Sequence, residues 1–364
     1  MPRAAANIER VEAAAYRVPT DAPESDGTFE WQATTIVVVA IAAGGQRGVG
    51  YSYTDATAAA LIRDTLAKRL EGQDALAIPA RWRDLVGAVR NIGRPGLAAT
   101  AMSALDTALW DLKAKLFGVP LVQLLGAARP DVAIYGSGGF TSYAIPTLEK
   151  QLGGWADQGI RMVKMKVGRD PAADLARVRA ARAAIGAGTQ LFVDANGAYD
   201  RKQALALAAE FAGLGVAWFE EPVSSDDLEG LRLLRDRGPA GMSIAAGEYG
   251  YDDTYFRRML AAGAVDVLQA DATRCCGLTG LMAVAALCRA FHVPLSTHCA
   301  PALHVHAGCA LPEIRHLEYF HDHVRIEAML FDGAPEPANG RLAPSDRPGL
   351  GLEFRRGDAE RFRL

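Results

Sequence analysis

The stretch from residue 161 to 248 contains four apolar runs that carry a charged residue at or near their end: RMVKMKV (161–167), LFVDA (191–195), VAWFEE (216–221) and MSIAAGE (242–248). Four similar runs extend the series: VAIYG (132–136), VDVLQAD (265–271), VPLSTH (293–298) and RHLEYF (315–320). Stretches rich in Ala and Leu separate them. Eight strands that alternate with helices over about 200 residues predict an α/β fold with an eight-stranded TIM barrel. An open doubly wound sheet is the alternative, but no GxGxxG follows the first run.

Polar residues end these runs at intervals of one strand–helix unit. The intervals range from 20 residues (298 to 318) to 28 residues (166 to 194), and the series is Lys166, Asp194, Glu220, Glu248, Asp271, His298 and Glu318. One barrel unit takes about 25–30 residues, so the series falls at the C-terminal ends of successive strands, where active sites of such barrels lie. A single acidic residue there is often only a helix cap, but three consecutive carboxylates are poorly explained in that way.

The three consecutive carboxylates predict a metal site. Asp194, Glu220 and Glu248 would repel one another on one rim unless a cation lay between them. Carboxylate oxygens suit a hard divalent ion, so we expect Mg²⁺, with Mn²⁺ possible. Zinc would favour histidine or cysteine ligands.

Two lysines and a histidine supply candidate acids and bases. Lys164 and Lys166 are two residues apart and point to the same side of their strand, into the barrel mouth. A neighbouring ammonium and a nearby metal ion disfavour a charged Lys166, so we expect a lowered pKa and a role as general base. A solvated surface pair is the alternative for a KxK pattern. Asp271 and His298 end neighbouring strands, and a hydrogen bond between them would orient the imidazole.

Composition excludes several other functions. The net charge of −3, from 39 basic and 42 acidic residues, makes nucleic acid an improbable partner. The longest apolar run of the first half, residues 36–43, is far shorter than the roughly 20 residues of a membrane span, so we expect no membrane association. The N-terminus lacks a signal-peptide pattern, and five cysteines without a CxxC spacing indicate a reducing compartment, so the expected location is cytoplasmic.

The chain divides into three parts. Strand-like segments and helices near 57–70 and 97–117 predict an α+β domain over residues 1–126. The barrel would occupy residues 127–330. Residues 331–364, rich in Pro and Gly, would form an ordered segment that packs back on the first domain. The segment Pro19–Thr28 is expected to be a loop whose tip carries Phe29 and Trp31.

Several motifs together resemble the enolase superfamily and, within it, the mandelate racemase-like subgroup. They are KMKVG (164–168), VDANG (193–197), FEEP (219–222), GE (247–248), DATRCCG (271–277), STH (296–298), ALDTALWDLKAKLFGVPLVQLLG (104–126) and PGLGLEF (348–354). The resemblance covers nearly the whole chain. It implies a modified TIM barrel, (β/α)₇β, beneath an N-terminal α+β capping domain.

The resemblance also implies roles for the strand-end residues. Asp194, Glu220 and Glu248 would hold Mg²⁺, while Glu221 would lie outside the ligand set. Lys166 would act as the base on one face of the substrate.

The remaining implied roles concern the other face and the carboxylate of the substrate. His298, supported by Asp271, would act on the opposite face from Lys166. Lys164 would lie near the substrate carboxylate, to which Glu318 would donate a hydrogen bond. The shared chemistry is removal of the proton α to a carboxylate through an enediolate, and the superfamily is a known example of lysine or histidine bases combined with Mg²⁺.

Two features separate this chain from some relatives. Members that resemble muconate cycloisomerase carry a lysine where this chain has Asp271, which weakens that reading. Cys276 replaces a usual glycine. Histidines besides His298 form a late cluster that could bind a transition metal, although structural roles are the preferred interpretation: His304, His306, His316, His321 and His323.

The expected reaction is dehydration of a sugar acid to a 2-keto-3-deoxy acid, which would make the protein a lyase. A racemase, epimerase or cycloisomerase acting on a 2-hydroxy or sugar acid is the alternative, and a catalytically idle binding scaffold or a metal-dependent hydrolase is less favoured. Phe29, Trp31 and Tyr51 are candidate substrate contacts, although they could simply pack the cap onto the barrel. The resemblance implies a small-molecule carboxylate substrate and a homo-oligomer, either dimer or octamer.

Overall fold

The computed structural model describes residues 6–364. The first elements along the chain form a three-stranded antiparallel sheet. The strands pair in the order β1 (Ile8–Ser25), β2 (Glu30–Ala43) and β3 (Gln46–Tyr53). Alternation along β2 divides its apolar residues between two cores. Val37 and Val39 pack with the cap helices, whereas Val38 joins the core that continues into the barrel.

Helices cover one face of this sheet. They are α1 (Thr57–Leu61), a π-helical turn (Ile62–Leu66), α2 (Ala67–Leu70), α3 (Ile78–Ala88), α4 (Leu97–Phe117) and α5 (Leu121–Leu125). The helices predicted near 57–70 and over 97–117 are confirmed. Gly118 ends α4 in the left-handed conformation (φ 66°), which glycine adopts without steric cost.

The expectation of a loop over Pro19–Thr28 is wrong. β1 continues to Ser25, which pairs with Glu30, the first residue of β2. The register changes between Pro19 and Glu24, so a bulge absorbs the Pro- and Asp-rich residues that suggested a loop. Only the tip is a turn, in which Asp26 Oδ1 accepts hydrogen bonds from the backbone N–H groups of Thr28 (2.6 Å) and Phe29 (2.7 Å).

Eight parallel strands within residues 132–320 form the barrel. They are β4 (Val132–Gly138), β5 (Met162–Lys166), β6 (Gln190–Asp194), β7 (Val216–Glu220), β8 (Ser243–Ala246), β9 (Val267–Ala270), β10 (Leu295–Thr297) and β11 (Leu317–Phe320). Neighbouring strands pair from β4 to β10 in sequence order, and β11 pairs with β4. The Arg315 N–H donates to the Leu295 carbonyl (2.7 Å) and joins β10 to the approach of β11. This closure excludes the open sheet and confirms the predicted α/β barrel with its α+β cap.

A helix follows each barrel strand. They are α6 (Ile145–Asp157), α7 (Pro171–Ile185), α8 (Arg201–Gly213), α9 (Leu228–Arg237), α10 (Asp253–Ala261), α11 (Gly277–Phe291), α12 (Pro301–Ala310) and α13 (His321–Leu330). Aspartates cap several of them, as Asp200 does at α8 by accepting from the N–H groups of Lys202 and Gln203. None of the helices within residues 6–364 is long and apolar enough to span a bilayer.

The C-terminal segment contacts both the cap and the barrel. Its elements are β12 (Phe331–Asp332), β13 (Arg341–Leu342), β14 (Glu353–Phe354), α14 (Arg356–Ala359) and a 3₁₀ turn (Glu360–Phe362). β13 pairs with β4 of the barrel. Buried Asp111 on α4 accepts hydrogen bonds from the N–H groups of Val49 and Leu350, both at 2.7 Å, and so joins the segment to the cap sheet.

Close packing of β3 on α4 leads to a prediction about Gly50. A Cβ atom there would lie 2.2 Å from the Ala104 carbonyl oxygen and 2.5 Å from the Ala108 nitrogen. We expect Gly50→Ala to destabilise the protein by about 1–3 kcal/mol, because helix and sheet must separate, and to lower the thermal unfolding midpoint.

Gly154→Ala is the matched control. Gly154 lies in α6 with no atom within 4 Å of the added methyl group, so its replacement should leave the midpoint unchanged or raise it. An unchanged midpoint for Gly50→Ala would contradict this account of the packing.

Candidate active site

Three buried carboxylates meet at the C-terminal ends of adjacent strands. Asp194 and Glu220 are the last residues of β6 and β7, and Glu248 follows β8 by two residues. One carboxylate oxygen from each lies within 4.8 Å of the others. Burial, followed by the charge of Asp194, raises the pKa of Glu220 well above its usual value. Like charges therefore converge here in a low-dielectric setting.

The donor set fits a hard divalent cation. The three side chains offer only oxygen atoms, which Mg²⁺ and Mn²⁺ prefer. Within residues 6–364, the buried Oε2 atom of Glu248 has no hydrogen-bond partner. In the adjacent Glu220, the Oε2 atom accepts a hydrogen bond from Trp218 Nε1 (2.9 Å), which holds the Glu220 carboxylate in place.

Both lysines of KMK point into this group of carboxylates. Lys164 Nζ forms ion pairs with Glu220 and with Glu318 Oε1 (2.8 Å), and Lys166 Nζ lies 2.5 Å from Asp194 Oδ2. All of these side chains are buried, so the alternative of a solvated lysine pair does not apply.

The lowered pKa expected for Lys166 is not what the surrounding protein groups produce. Burial is the largest single influence and would lower the pKa of Lys166, but the charges of Asp194, Glu248 and Glu220 together outweigh it and raise the pKa above its usual value. The expectation considered the neighbouring ammonium and a metal ion but not the carboxylate of Asp194, which lies 2.5 Å from Lys166 Nζ. A cation bound between the carboxylates would offset that effect.

His298 and Asp271 form the predicted hydrogen bond. His298 Nδ1 lies 2.8 Å from Asp271 Oδ2, and the Asp271 Oδ1 atom accepts from the Thr273 N–H (2.6 Å). This contact leaves His298 Nε2 facing the site, 3.4 Å from Glu248 Oε2. Burial is the largest single influence and raises the pKa of Asp271, but His298 and its hydrogen bond, His304 and Arg274 together outweigh it, and the net pKa is lowered.

Glu318 accepts hydrogen bonds at both oxygens. Oε1 accepts from Ser137 Oγ (2.6 Å) as well as from Lys164, and Oε2 accepts from the Cys299 N–H (2.7 Å). Burial is the largest single influence and raises the pKa of Glu318, but Lys164, His298 and Lys166 together outweigh it and lower the pKa well below its usual value. Donation to a substrate carboxylate therefore requires Glu318 to take up a proton first.

Arg274 is a site residue that the sequence reasoning missed. Its Nη1 atom donates to the Glu248 carbonyl (3.0 Å), and its Nε atom lies 3.9 Å from Asp271 Oδ2. The guanidinium also lies over the Tyr249 ring, 5.3 Å from its centroid. The position of Arg274 three residues after Asp271, in DATR, was the available signal.

The cap reaches the site through the tip of the β1–β2 hairpin. A Cβ atom on Gly27 would lie 2.4 Å from the Ala195 carbonyl oxygen and 2.8 Å from that of Val167, so only glycine fits. Ser25 and Thr141 share a 2.6 Å hydrogen bond that fastens the hairpin to the barrel loop after β4. The tip therefore lies on the ends of β5 and β6.

The three candidate substrate contacts lie in different environments. Phe29 is 64% exposed and stacks on Trp31, with ring centroids 6.2 Å apart. Tyr51 is fully buried, and its hydroxyl donates to Glu327 (2.6 Å) on α13. This position favours the alternative stated for Tyr51, in which it packs the cap onto the barrel.

Four of the late histidines are occupied by other contacts rather than gathered around a metal. His304 accepts from the Ala272 N–H (2.9 Å), and His306 accepts from the Val122 N–H (3.2 Å). His316 lies 2.9 Å from Ser296 Oγ, and His323 stacks on a tyrosine ring. These contacts support the structural interpretation for these four residues.

Cys276 and Glu221 both adopt positive φ angles. Cys276 has φ 65°, in the left-handed region where glycine is favoured, which explains why glycine is usual there. Glu221 (φ 38°) follows Glu220 directly but is not one of the three grouped carboxylates.

Sequence and structure comparisons identify the family. Residues 10–126 match the model of the mandelate racemase / muconate lactonizing enzyme N-terminal domain, and residues 147–359 match the enolase C-terminal domain-like model. A crystal structure of a mandelate racemase/muconate lactonizing enzyme-like protein from Rubrobacter xylanophilus is 54% identical, with a TM-score of 0.96 over 98% of this chain and 100% of that one.

Two further relatives carry the names of specific enzymes. L-talarate/galactarate dehydratase from Salmonella typhimurium is 33% identical over 95% of this chain and 88% of its own length. Its structure with Mg and L-lyxarohydroxamate is 30% identical and has a TM-score of 0.91 over 99% of this chain and 94% of that one. The 3,6-anhydro-alpha-L-galactonate cycloisomerase from Streptomyces coelicolor is 32% identical over 96% of this chain and 98% of its own length.

The order of the cap and barrel, the matches to both family models and the identities over nearly the full chain agree. The protein belongs to the mandelate racemase/muconate lactonizing enzyme family of the enolase superfamily.

Proposed function

We propose that the protein is a sugar-acid dehydratase that depends on a divalent cation and converts its substrate to a 2-keto-3-deoxy acid. The observation that carries the proposal is the placement of Lys166 and His298 on either side of the three-carboxylate group. β5 and β10 are separated around the barrel by β4 and β11 on one arc and by β6 to β9 on the other. A substrate between them would present one face to each side chain.

The proposed cation is Mg²⁺, with Mn²⁺ as a substitute, held by Asp194, Glu220 and Glu248. The all-oxygen donor set and the unpartnered Glu248 oxygen support this assignment, as does the Mg in the structure of the talarate/galactarate dehydratase. When bound, the cation would supply a Lewis acid for the negative charge that develops on the substrate carboxylate.

The side chains of the protein would divide the proton transfers. Neutral Lys166 would take the proton from the α-carbon, and His298 Nε2 would give a proton to the departing β-hydroxyl, which leaves as water. The enol that remains tautomerises to the 2-keto acid. Asp271 would hold His298 with Nε2 toward the substrate, and Lys164 would place positive charge near the substrate carboxylate.

Inversion of the α-carbon is the second candidate reaction. The same two-sided arrangement would support it if one residue removed the proton and the other returned it. The presence of a cycloisomerase among the relatives supports an isomerase reaction as the alternative. An idle scaffold is disfavoured, because Lys166, His298 and the three carboxylates are all present and grouped.

A sugar acid is the proposed substrate class, since the names of the relatives give such compounds as their substrates. We also propose a homo-oligomer, dimer or octamer, located in the cytoplasm. The cysteines of the protein are all free, which supports a reducing compartment.

Light scattering at micromolar protein concentration tests the proposed assembly. We expect a mass at least twice the 38.7 kDa of one chain. A monomeric mass that persists as concentration is raised would contradict the proposal.

Glu220→Gln tests the cation. Loss of one of three charged ligands should weaken Mg²⁺ binding and abolish most activity, while the fold survives because repulsion among the carboxylates is relieved. Calorimetric titration with Mg²⁺ and circular dichroism measure both effects. Glu229→Gln, on the exposed surface of α9, is the control and should match wild type. Full wild-type activity in excess EDTA would refute the cation requirement.

Solvent exchange in D₂O separates the two reactions and tests the two bases. His298→Asn retains size and hydrogen bonding but cannot protonate a leaving hydroxyl. It should still exchange the α-proton of a sugar-acid substrate through Lys166, yet form little 2-keto-3-deoxy product. Lys166→Ala should lose both exchange and product. NMR time courses on substrates found by a sugar-acid screen measure these rates.

Exposed residues of the same types serve as controls for this experiment. His292→Asn and Lys150→Ala should behave as wild type, because both side chains lie on the surface. A wild-type enzyme that inverts the α-carbon with deuterium incorporation and releases no water would replace the dehydratase by a racemase. Exchange that persists in Lys166→Ala but not in His298→Asn would reverse the assignment of the base.

A further inference from the structure

Another group of potential metal ligands, away from the active site, lies where the cap hairpin meets the barrel. Asp21 and Glu24 belong to β1, near its bulge, and His321 is the first residue of α13. One carboxylate oxygen of each acid and one ring nitrogen of His321 lie within 4.8 Å of one another. This hairpin–helix cluster shares no residue with the carboxylate group at the ends of β6 to β8.

Within this cluster, the environment of the Glu24 carboxylate favours a bound ligand. Its side chain is fully buried, and Trp31 Nε1 donates to its Oε2 atom (2.8 Å). Its Oε1 atom is buried without a hydrogen-bond partner among residues 6–364. A buried carboxylate oxygen without a partner is costly, and natural proteins usually satisfy such atoms.

A cationic side chain near Glu24, that of Arg325, directs its Nη2 atom to other groups. Arg325 Nη2 donates to Asp322 Oδ1 and to the Pro19 carbonyl, both at 2.6 Å. Asp322 adds a further negative charge near Glu24. Both carboxylates are buried, so little water screens their charges. The environment around Glu24 therefore contains more acidic than unpaired basic groups.

His321 and Asp21 complete the donor set and open it to solvent. His321 Nε2 lies 2.9 Å from Asp21 Oδ2, and both side chains are partly exposed, which provides a path for entry. Metal bonds of about 2.0–2.2 Å in a tetrahedral arrangement would place ligand atoms roughly 3.3–3.6 Å apart, so only small shifts are needed.

We propose that Asp21, Glu24 and His321 form a second cation site, specific for a borderline divalent transition metal such as Zn²⁺. A mixture of imidazole nitrogen and carboxylate oxygen suits Zn²⁺ better than Mg²⁺, and solvent would fill the remaining position.

The site would tie the cap hairpin to the barrel. Two ligands precede the hairpin tip that lies on β5 and β6, and the third begins the helix that follows β11. An ion bound here would oppose lifting of the hairpin from the barrel mouth. Its role would be structural positioning, separate from the chemistry at Asp194, Glu220 and Glu248.

Calorimetric titration with Zn²⁺ tests the proposal on the full chain. The protein is stripped with EDTA and then held in a large excess of Mg²⁺, which occupies the hard-ligand site. We expect wild type to bind one Zn²⁺ per chain. His321→Ala and Asp21→Asn should each weaken this binding by more than about tenfold, since even the loss of a residue that only supports a ligand costs 10–100-fold.

Further variants establish where the Zn²⁺ binds. Glu220→Gln should retain the Zn²⁺ site, and His292→Asn, which removes an exposed histidine elsewhere, should bind as wild type. Hydrogen exchange of residues 19–31 should slow with Zn²⁺ in wild type but not in His321→Ala. No Zn²⁺ binding in excess Mg²⁺, binding unchanged in both His321→Ala and Asp21→Asn, or binding lost in Glu220→Gln would each overturn the proposal.

Discussion

Repulsion among buried carboxylates is the constraint on which the barrel mouth depends. Asp194 and Glu220 end two adjacent parallel strands and Glu248 follows the next strand by two residues, so strand pairing brings the three carboxylates together. Lys164 and Lys166 offset part of this charge through contacts with Asp194 and Glu220. A bound divalent cation would offset the rest, which links metal binding to the protonation of the lysines.

The cap depends on the same region of the barrel. The hairpin tip can approach the ends of β5 and β6 only because position 27 has no side chain. Farther from the tip, Asp111 and Glu327 hold the cap to the C-terminal segment and to α13. These contacts fix the hairpin over the mouth, and the hairpin–helix cluster lies in the same seam between cap and barrel.

Predictions from local pattern succeeded or failed for identifiable reasons. Regular spacing located Asp194, Glu220 and Glu248 because each barrel unit repeats a similar length of chain. The same approach mistook Pro19–Thr28 for a loop, since Pro and Asp composition does not reveal a bulge within a paired strand. It also left out the effect of the carboxylates on the pKa of Lys166, because the balance of burial and neighbouring charge depends on distances that a sequence does not contain.

The amino-acid sequence alone is sufficient to predict the alternation of strands and helices, the order of the strand-end residues and the family to which the motifs point. Those properties are periodic or local, so they can be read along the chain. Three contacts became evident from the folded protein: Asp21 meets His321, Tyr51 is buried against Glu327, and Arg274 joins the site. Such contacts join side chains from different elements, and their distances follow from how the cap and barrel pack rather than from spacing along the chain.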